Sequence, residues 1–244
     1  MRSGLWSGLL DTLVYNLNRK QERVRLFEIG ATYAKTKDGY SETTRISGLA
    51  YGDAAPEQWA EAAREVDFFD IKADVDTLAN GRVQYVPAQH PALHPGQSAQ
   101  MVLEGKAIGW LGKLHPRWQQ HYQLPRSTLL FELDVAPLLE RTLAHYREVP
   151  KFPPVRRDLA VIVDEKVPVQ ALLDTVLAAK IPQVSEVALF DVYRGKGIME
   201  NKKSLAFLVL MQDTQKTLTD QEADTAMAKL LDLMVRQHGA ELRS

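Results

Sequence analysis

Apolar and polar positions along the chain change their period several times, and each change marks an element. Leu9, Leu10, Leu13 and Leu17 recur at helical spacing, with Ser7 placed to cap that helix. Arg25-Leu26-Phe27-Glu28-Ile29-Gly30 then alternates as a half-buried strand does. Residues 46–51 read as a second strand. Phe68, Ile71, Val75 and Leu78 share one face of a helix over 68–78. A short strand is expected at 83–86. Strands at 98–103 and 107–111 flank Glu104-Gly105-Lys106, a hairpin signal, and 129–133 closes the series. This pattern predicts a mostly antiparallel sheet with helices between and around its strands, an α+β layout.

Val149-Pro150-Lys151-Phe152-Pro153-Pro154 breaks the pattern, because its three prolines continue neither a helix nor a central strand. It divides the chain into a first unit, 1–148, and a second, 149–244. In the second, Leu159, Val161 and Val163 alternate along a strand at 158–163. A helix follows, with Pro168 near its first turn and Val169, Leu172, Leu173, Val176 and Leu177 as its stripe. Strands are expected at 187–193 and 204–211. Thr219-Asp220-Gln221-Glu222 is a capping box that starts a helix carrying Ala223, Ala226, Met227, Leu230 and Met234. Gly239 is its expected stop, and 241–243 a short closing strand. The order β-α-β-β-α-β is the ferredoxin-like split arrangement.

Two helices in that arrangement cover one sheet face and leave the other open. Alternation places Phe190 and Val192 toward the helices, and Leu189, Asp191 and Tyr193 on the open side. Ser204 begins the next strand and comes near Tyr193 across the hairpin. Arg194, Lys196, Lys202 and Lys203 rim it. A ring, a carboxylate and a hydroxyl on an open sheet suit a single-stranded nucleic acid. Bases stack on the ring, the carboxylate accepts from base N–H groups, and the cations meet phosphates. A solvated basic hairpin beside a surface tyrosine is the more ordinary reading of the same residues.

Composition narrows these choices. The chain has 244 residues and a net charge of -1, so attraction to nucleic acid must be local. It has no cysteine, which excludes disulfides and thiolate metal sites and is compatible with a reducing compartment. No apolar run of about 18 residues offers a membrane-spanning helix, and no signal peptide is apparent at the start. His90 and His94 have a spacing that could hold zinc on a helix, but Pro91 and Pro95 forbid one, so these are expected to be loop histidines, as is His115. Gly195-Lys196-Gly197 is too short to cradle phosphate.

Several of these stretches carry a resemblance. Phe152-Pro153-Pro154-Val155-Arg156-Arg157-Asp158-Leu159-Ala160, Leu189-Phe190-Asp191-Val192-Tyr193-Arg194-Gly195, Lys203-Ser204-Leu205-Ala206-Phe207, Thr217 to Glu222 and the final Leu242-Arg243 occur in that order. Together they resemble the ferredoxin-fold anticodon-binding domain of bacterial phenylalanyl-tRNA synthetase β subunits. Met1 to Leu5, Asn16 to Arg19, Arg25 to Gly30, Phe68 to Lys72 and Leu111 to Pro116 look like the catalytic-like module of the same subunit. The resemblance implies a class II synthetase-like antiparallel sheet with helices followed by a ferredoxin-like domain. It also implies a C-terminal portion excised from a longer subunit, without its editing domain.

By that resemblance the anticodon of phenylalanine tRNA docks on the second unit. Tyr193 would stack on a guanine, Asp191 accept from it and Ser204 hydrogen-bond it. Arg194, Lys196, Lys202 and Lys203 would be phosphate contacts. The first unit would be noncatalytic and pack against an α subunit within a cytoplasmic α2β2 heterotetramer, with the N-terminal helix as a candidate interface. No cofactor or metal is expected in this chain, whereas ATP and magnesium serve the complete enzyme. Residues 129–134 have no glycine run, and no arginine follows until Arg141. Arg25 and Glu28 lie on a strand that could imitate the ATP-binding one, but read as structural or interface residues. An active class II-like ligase or acyltransferase in the first unit, and a regulatory ferredoxin-like module that binds a small molecule, are the alternatives.

Overall fold

The computed structural model describes residues 1–140, 146 and 149–243, so Arg141 lies outside the described residues. The chain divides into two units, Met1–Leu143 and Ala144–Ser244. Unit 1 contains, in order, α1 (Trp6–Leu17), β1 (Val24–Thr36), β2 (Gly39–Tyr51), α2 (Phe68–Leu78), β3 (Gln84–Pro87), β4 (Leu93–Leu103), β5 (Lys106–Leu114), α3 (Pro116–His121), β6 (Thr128–Asp134) and α4 (Ala136–Leu139). Its six strands form one antiparallel sheet, ordered β1-β2-β6-β5-β4-β3.

Strand alternation sorts the apolar residues of β6 onto two faces. Leu129, Phe131 and Leu133 join Ile71 and Val75 of α2 in one core. Leu130 turns the other way and meets Leu9, Leu10 and Leu13 of α1. The apolar stripe of α1 is thus covered by its own sheet. That weakens the expectation that this stripe forms an interface.

Ser7 does not cap α1. It lies inside the helix, whose first residue is Trp6 and whose cap position, Leu5, has no side-chain cap. The Leu5 N–H instead donates to the Glu132 carboxylate at 2.6 Å. A buried acid from a distant strand therefore fixes the helix start, which no local pattern could show. The α2 helix is capped locally, by a reciprocal pair between Asp67 and Asp70.

The three histidines share one local geometry. In His90-Pro91-Ala92, His94-Pro95-Gly96 and His115-Pro116-Arg117, the histidine Nδ1 accepts from the N–H two residues on. The intervening proline has no N–H, so the ring caps the next available donor and its hydrogen sits on Nε2. His115 caps α3 in this way. His94 lies within β4, not in a loop as the prolines suggested. Among the described residues, no group of three or more metal-binding side chains occurs.

Unit 2 contains β7 (Val155–Asp164), α5 (Val169–Ala179), β8 (Val184–Tyr193), β9 (Lys202–Met211), α6 (Asp220–His238) and β10 (Glu241–Leu242). The antiparallel sheet is ordered β10-β7-β9-β8. Leu159, Val161 and Val163 of β7 and Leu205, Phe207, Val209 and Met211 of β9 point to one side. There they pack against Leu172 and Val176 of α5 and Ala223, Ala226, Leu230 and Met234 of α6. Leu177, expected in the stripe of α5, is 71% exposed because it lies beyond the sheet-facing arc. No helix among the described residues is long and apolar enough to cross a membrane.

Both halves of the α6 capping box form, and Gly239 ends the helix at φ 63. Thr219→Ala should therefore lower unit 2 stability by about 1 kcal/mol, read as a lower thermal midpoint. Hydrogen bonds from Lys216 and Thr219 depress the Glu222 carboxyl to about 2. A depressed acid stabilises fully above its unfolded value of about 4.3 and ceases to do so as the pH falls toward 2. Glu222→Gln should remove that acid limb from the stability profile; an identical profile would show that the box contributes nothing through its charge.

Candidate nucleic-acid interface

The geometry of β8 depends on an irregularity in its pairing with β9. Leu189 sits opposite Phe207, whereas Asp191 sits opposite Ala206, so Phe190 is an extra residue. Such a bulge shifts the phase of alternation beyond it. Leu189 packs against the core, and Val192 sits opposite Leu205 on the helix side. Asp191 and Tyr193 sit opposite Ala206 and Ser204 on the uncovered side. Strict alternation put Phe190 toward the helices and Leu189 toward solvent. Both placements are corrected: Phe190 is 54% exposed and lies outside the core, and Leu189 is partly buried and packs against it. Among the described residues, the core side chains of both helices meet only the opposite face.

Tyr193, Asp191 and Ser204 thus share one face, but their surroundings differ. Asp191 is exposed, and no hydrogen bond or ion pair engages it among the described residues. Ser204 is 1% exposed, and its Oγ accepts from Arg243 at 3.2 Å. The Arg243 guanidinium also stands 4.9 Å from the centroid of the Tyr193 ring. The sequence reading missed Arg243 as part of this group. It follows β10, whose pairing with β7 covers only Glu241 and Leu242, and its own N–H donates to the Ala160 carbonyl. Only that long-range pairing brings the end of the chain to the hairpin.

The hairpin itself is tied down. The Tyr193 hydroxyl donates to the Lys196 carbonyl at 3.2 Å. A Cβ on Gly195 would stand 2.8 Å from that hydroxyl oxygen, so a larger residue there would push the ring off this position. Arg194 donates to both Glu165 oxygens, with the shortest bond at 2.7 Å. That bond holds the Glu165 carboxyl below the usual carboxylate range and raises Arg194 in return.

The expected phosphate contacts separate under this geometry. Lys203 lies on the helix side of β9, is 8% exposed and donates to the Glu165 carbonyl at 2.9 Å. Burial and this bond withdraw it from the set. Lys202 pairs with Glu241, and Arg194 with Glu165. Lys196 is exposed at the hairpin tip and makes no ion pair among the described residues.

Two α+β units, one built on a six-stranded antiparallel sheet and one ferredoxin-like, place the chain among subunits of aminoacyl-tRNA synthetases once sequence comparisons are added. The model of the phenylalanyl-tRNA synthetase beta chain CLM domain matches residues 1–135, and that of the ferredoxin-fold anticodon binding domain matches residues 150–243. The chain belongs to the phenylalanine–tRNA ligase beta subunit family. Beta subunits from Nitrosospira multiformis, Dechloromonas aromatica and Neisseria gonorrhoeae are 53%, 46% and 48% identical to it over its whole length. The chain spans only 31%, 32% and 31% of these relatives. A pyrrolysyl tRNA synthetase structure from Desulfitobacterium hafniense overlaps 57% of this chain and 48% of its own, at 14% identity and a TM-score of 0.40.

The Arg194–Glu165 pair ties the β8–β9 hairpin to the turn after β7. Glu165→Ala should speed amide exchange across residues 194–201 while leaving the core of β9 protected. Unchanged exchange in the hairpin would show that the pair does not hold it.

Proposed function

We propose that unit 2 binds the unpaired anticodon of phenylalanine tRNA on its open sheet face. The observation that supports this most is the common side of Tyr193, Asp191 and Ser204, created by the bulge at Phe190. A base stacks on the Tyr193 ring. The Asp191 carboxylate accepts from the N–H groups on the edge of a guanine. Arg243 supplies a donor fork beside it, and Ser204, buried and bonded to Arg243, positions that fork rather than meeting the base itself. Lys196, with its ammonium at the hairpin tip, meets a phosphate, and Arg194 and Lys202 are secondary because each already has a carboxylate partner.

We read residues 1–148 as a noncatalytic scaffold and residues 149–244 as the anticodon-binding module. Together they act as part of an α2β2 phenylalanine–tRNA ligase of the cytoplasm, in which ATP and magnesium serve the α subunit. The cleft on the α1 side of the unit 1 sheet does not fit a nucleoside triphosphate. Its guanidiniums are engaged by acids: Arg45 pairs with Glu132 and Asp134, and Arg2 with Glu28. No guanidinium there among the described residues is left for phosphate oxygens. Arg25 is also structural, since it bonds the Ala54 carbonyl. For the α subunit, the better surface is the sheet edge at β1, where Phe27 is 74% and Ile29 58% exposed.

Binding of phenylalanine tRNA and of its isolated anticodon stem-loop tests this reading. Tyr193→Ala should weaken both by about 1–3 kcal/mol without unfolding the unit. Lys196→Ala should weaken binding across all sequences and reduce the salt slope by about one. Asp191→Asn should lessen the preference for guanine at the first anticodon position. Tight binding by Tyr193→Ala, or equal affinity for stem-loops of any anticodon, would remove the anticodon reading. The chain alone should show no phenylalanine-dependent pyrophosphate exchange, and a clear signal would overturn the scaffold assignment.

A further inference from the structure

A cavity of about 800 Å3 opens on the α1 side of the unit 1 sheet. That volume falls within the range of small-molecule sites. Its floor is apolar: Leu10 is 5%, Leu114 1% and Leu130 0% exposed. Along one wall run three rings. Trp6 and His90 meet edge-on with centroids 5.2 Å apart, and His90 and Trp110 are tilted at 5.0 Å. The three rings, each with electron-rich faces, all line the cavity.

The charges at the mouth are unequal. Arg45 donates to Glu132 and to Asp134, each at 2.9 Å. The second Glu132 oxygen accepts the Leu5 N–H. Arg2 is neutralised by Glu28 at 2.7 Å. One guanidinium therefore serves two carboxylates, so the side chains here carry one negative charge in excess; the Met1 amino group also lines the cavity, but on a residue 87% exposed, where water screens it. Asp134 carries the carboxylate oxygen that Arg45 does not engage. His90 does not offset it, since burial pushes its ring below the ordinary histidine value and keeps it neutral.

We propose that this cavity binds a small organic ammonium with an aromatic or apolar body. The ammonium lies against Asp134, and the body lies along Trp6, His90 and Trp110. A cation beside aromatic faces in a partly desolvated site gains from the ring quadrupoles as well as from the carboxylate. An anion gains from neither, because both guanidiniums already have partners and the Met1 amino group lies on an exposed residue. This site is separate from the anticodon face and does not rest on that reading.

Benzylammonium, benzyl alcohol and benzoate share a ring and differ in charge, which makes them suitable probes. Each is titrated into the 244-residue chain near neutral pH, followed by tryptophan fluorescence and the indole N–H signals of Trp6 and Trp110. The cation should bind at least about fivefold tighter than the alcohol, and benzoate weakest. Asp134→Asn should erase the advantage of the cation while leaving the affinity of the alcohol in place, which also reports that the cavity is intact. Trp110→Leu keeps every charge and should weaken all three, the cation most. Equal binding of the three probes, preference for benzoate, no saturable response to any, or a cation advantage that survives Asp134→Asn would overturn the proposal.

Discussion

A four-stranded sheet with both helices on one side hides only half of its side chains. The other half must be polar, or must find an occupant. In unit 2 that constraint fixes which residues meet solvent, and the bulge at Phe190 fixes where the division falls along β8. Without the extra residue, Leu189 and Tyr193 would share a face, and one of them would be wrongly placed. With it, the leucine enters the core, and the acid and the phenol stand together on the uncovered side. A single irregular residue thus lets one strand serve a core at one end and present an acid and a phenol on the uncovered face at the other.

The cations around that surface are organised for position more than for attraction. Arg194 and Lys202 are paired with acids from other segments, and Lys203 is buried against a backbone carbonyl. These interactions anchor the hairpin, which in turn holds the Tyr193 ring through its hydroxyl. Arg243 adds a restraint from the far end of the chain. A surface with few uncommitted charges, in a chain of net charge -1, gains little from general attraction to polyanions.

Much of this was legible from the residues. The α2 helix, the α6 capping box, the Gly239 stop and the β-α-β-β-α-β order follow from local periodicity and end signals, and all are present. The face shared by Asp191, Tyr193 and Ser204 was legible too, though the strict alternation used to reach it misplaced Phe190 and Leu189. A bulge has no sequence signature here, since Leu189-Phe190 reads as two ordinary strand residues. The outer halves of β1 and β2 were missed because residues 31–45 are mostly small or polar, and pairing with each other is what makes them strands. Long-range groups left no trace at all: Glu132 at the start of α1 and Arg243 over Tyr193 are joined only by folding.

The two units use the same side-chain types to opposite ends. In unit 2 the acid at the centre, Asp191, is exposed and unengaged among the described residues, which leaves it open to a partner that brings its own donors. In unit 1 the central acid, Glu132, is 9% exposed, with one oxygen on Arg45 and the other on the backbone of α1. Removing either partner would strand a buried charge, so this group holds the N-terminal segment against the sheet rather than waiting for a substrate. A guanidinium locked between two carboxylates cannot also stabilise charge on a transferring phosphoryl group, because that role requires a cation aimed at the reacting oxygens. The polar cluster at the centre of unit 1 is therefore a fastening.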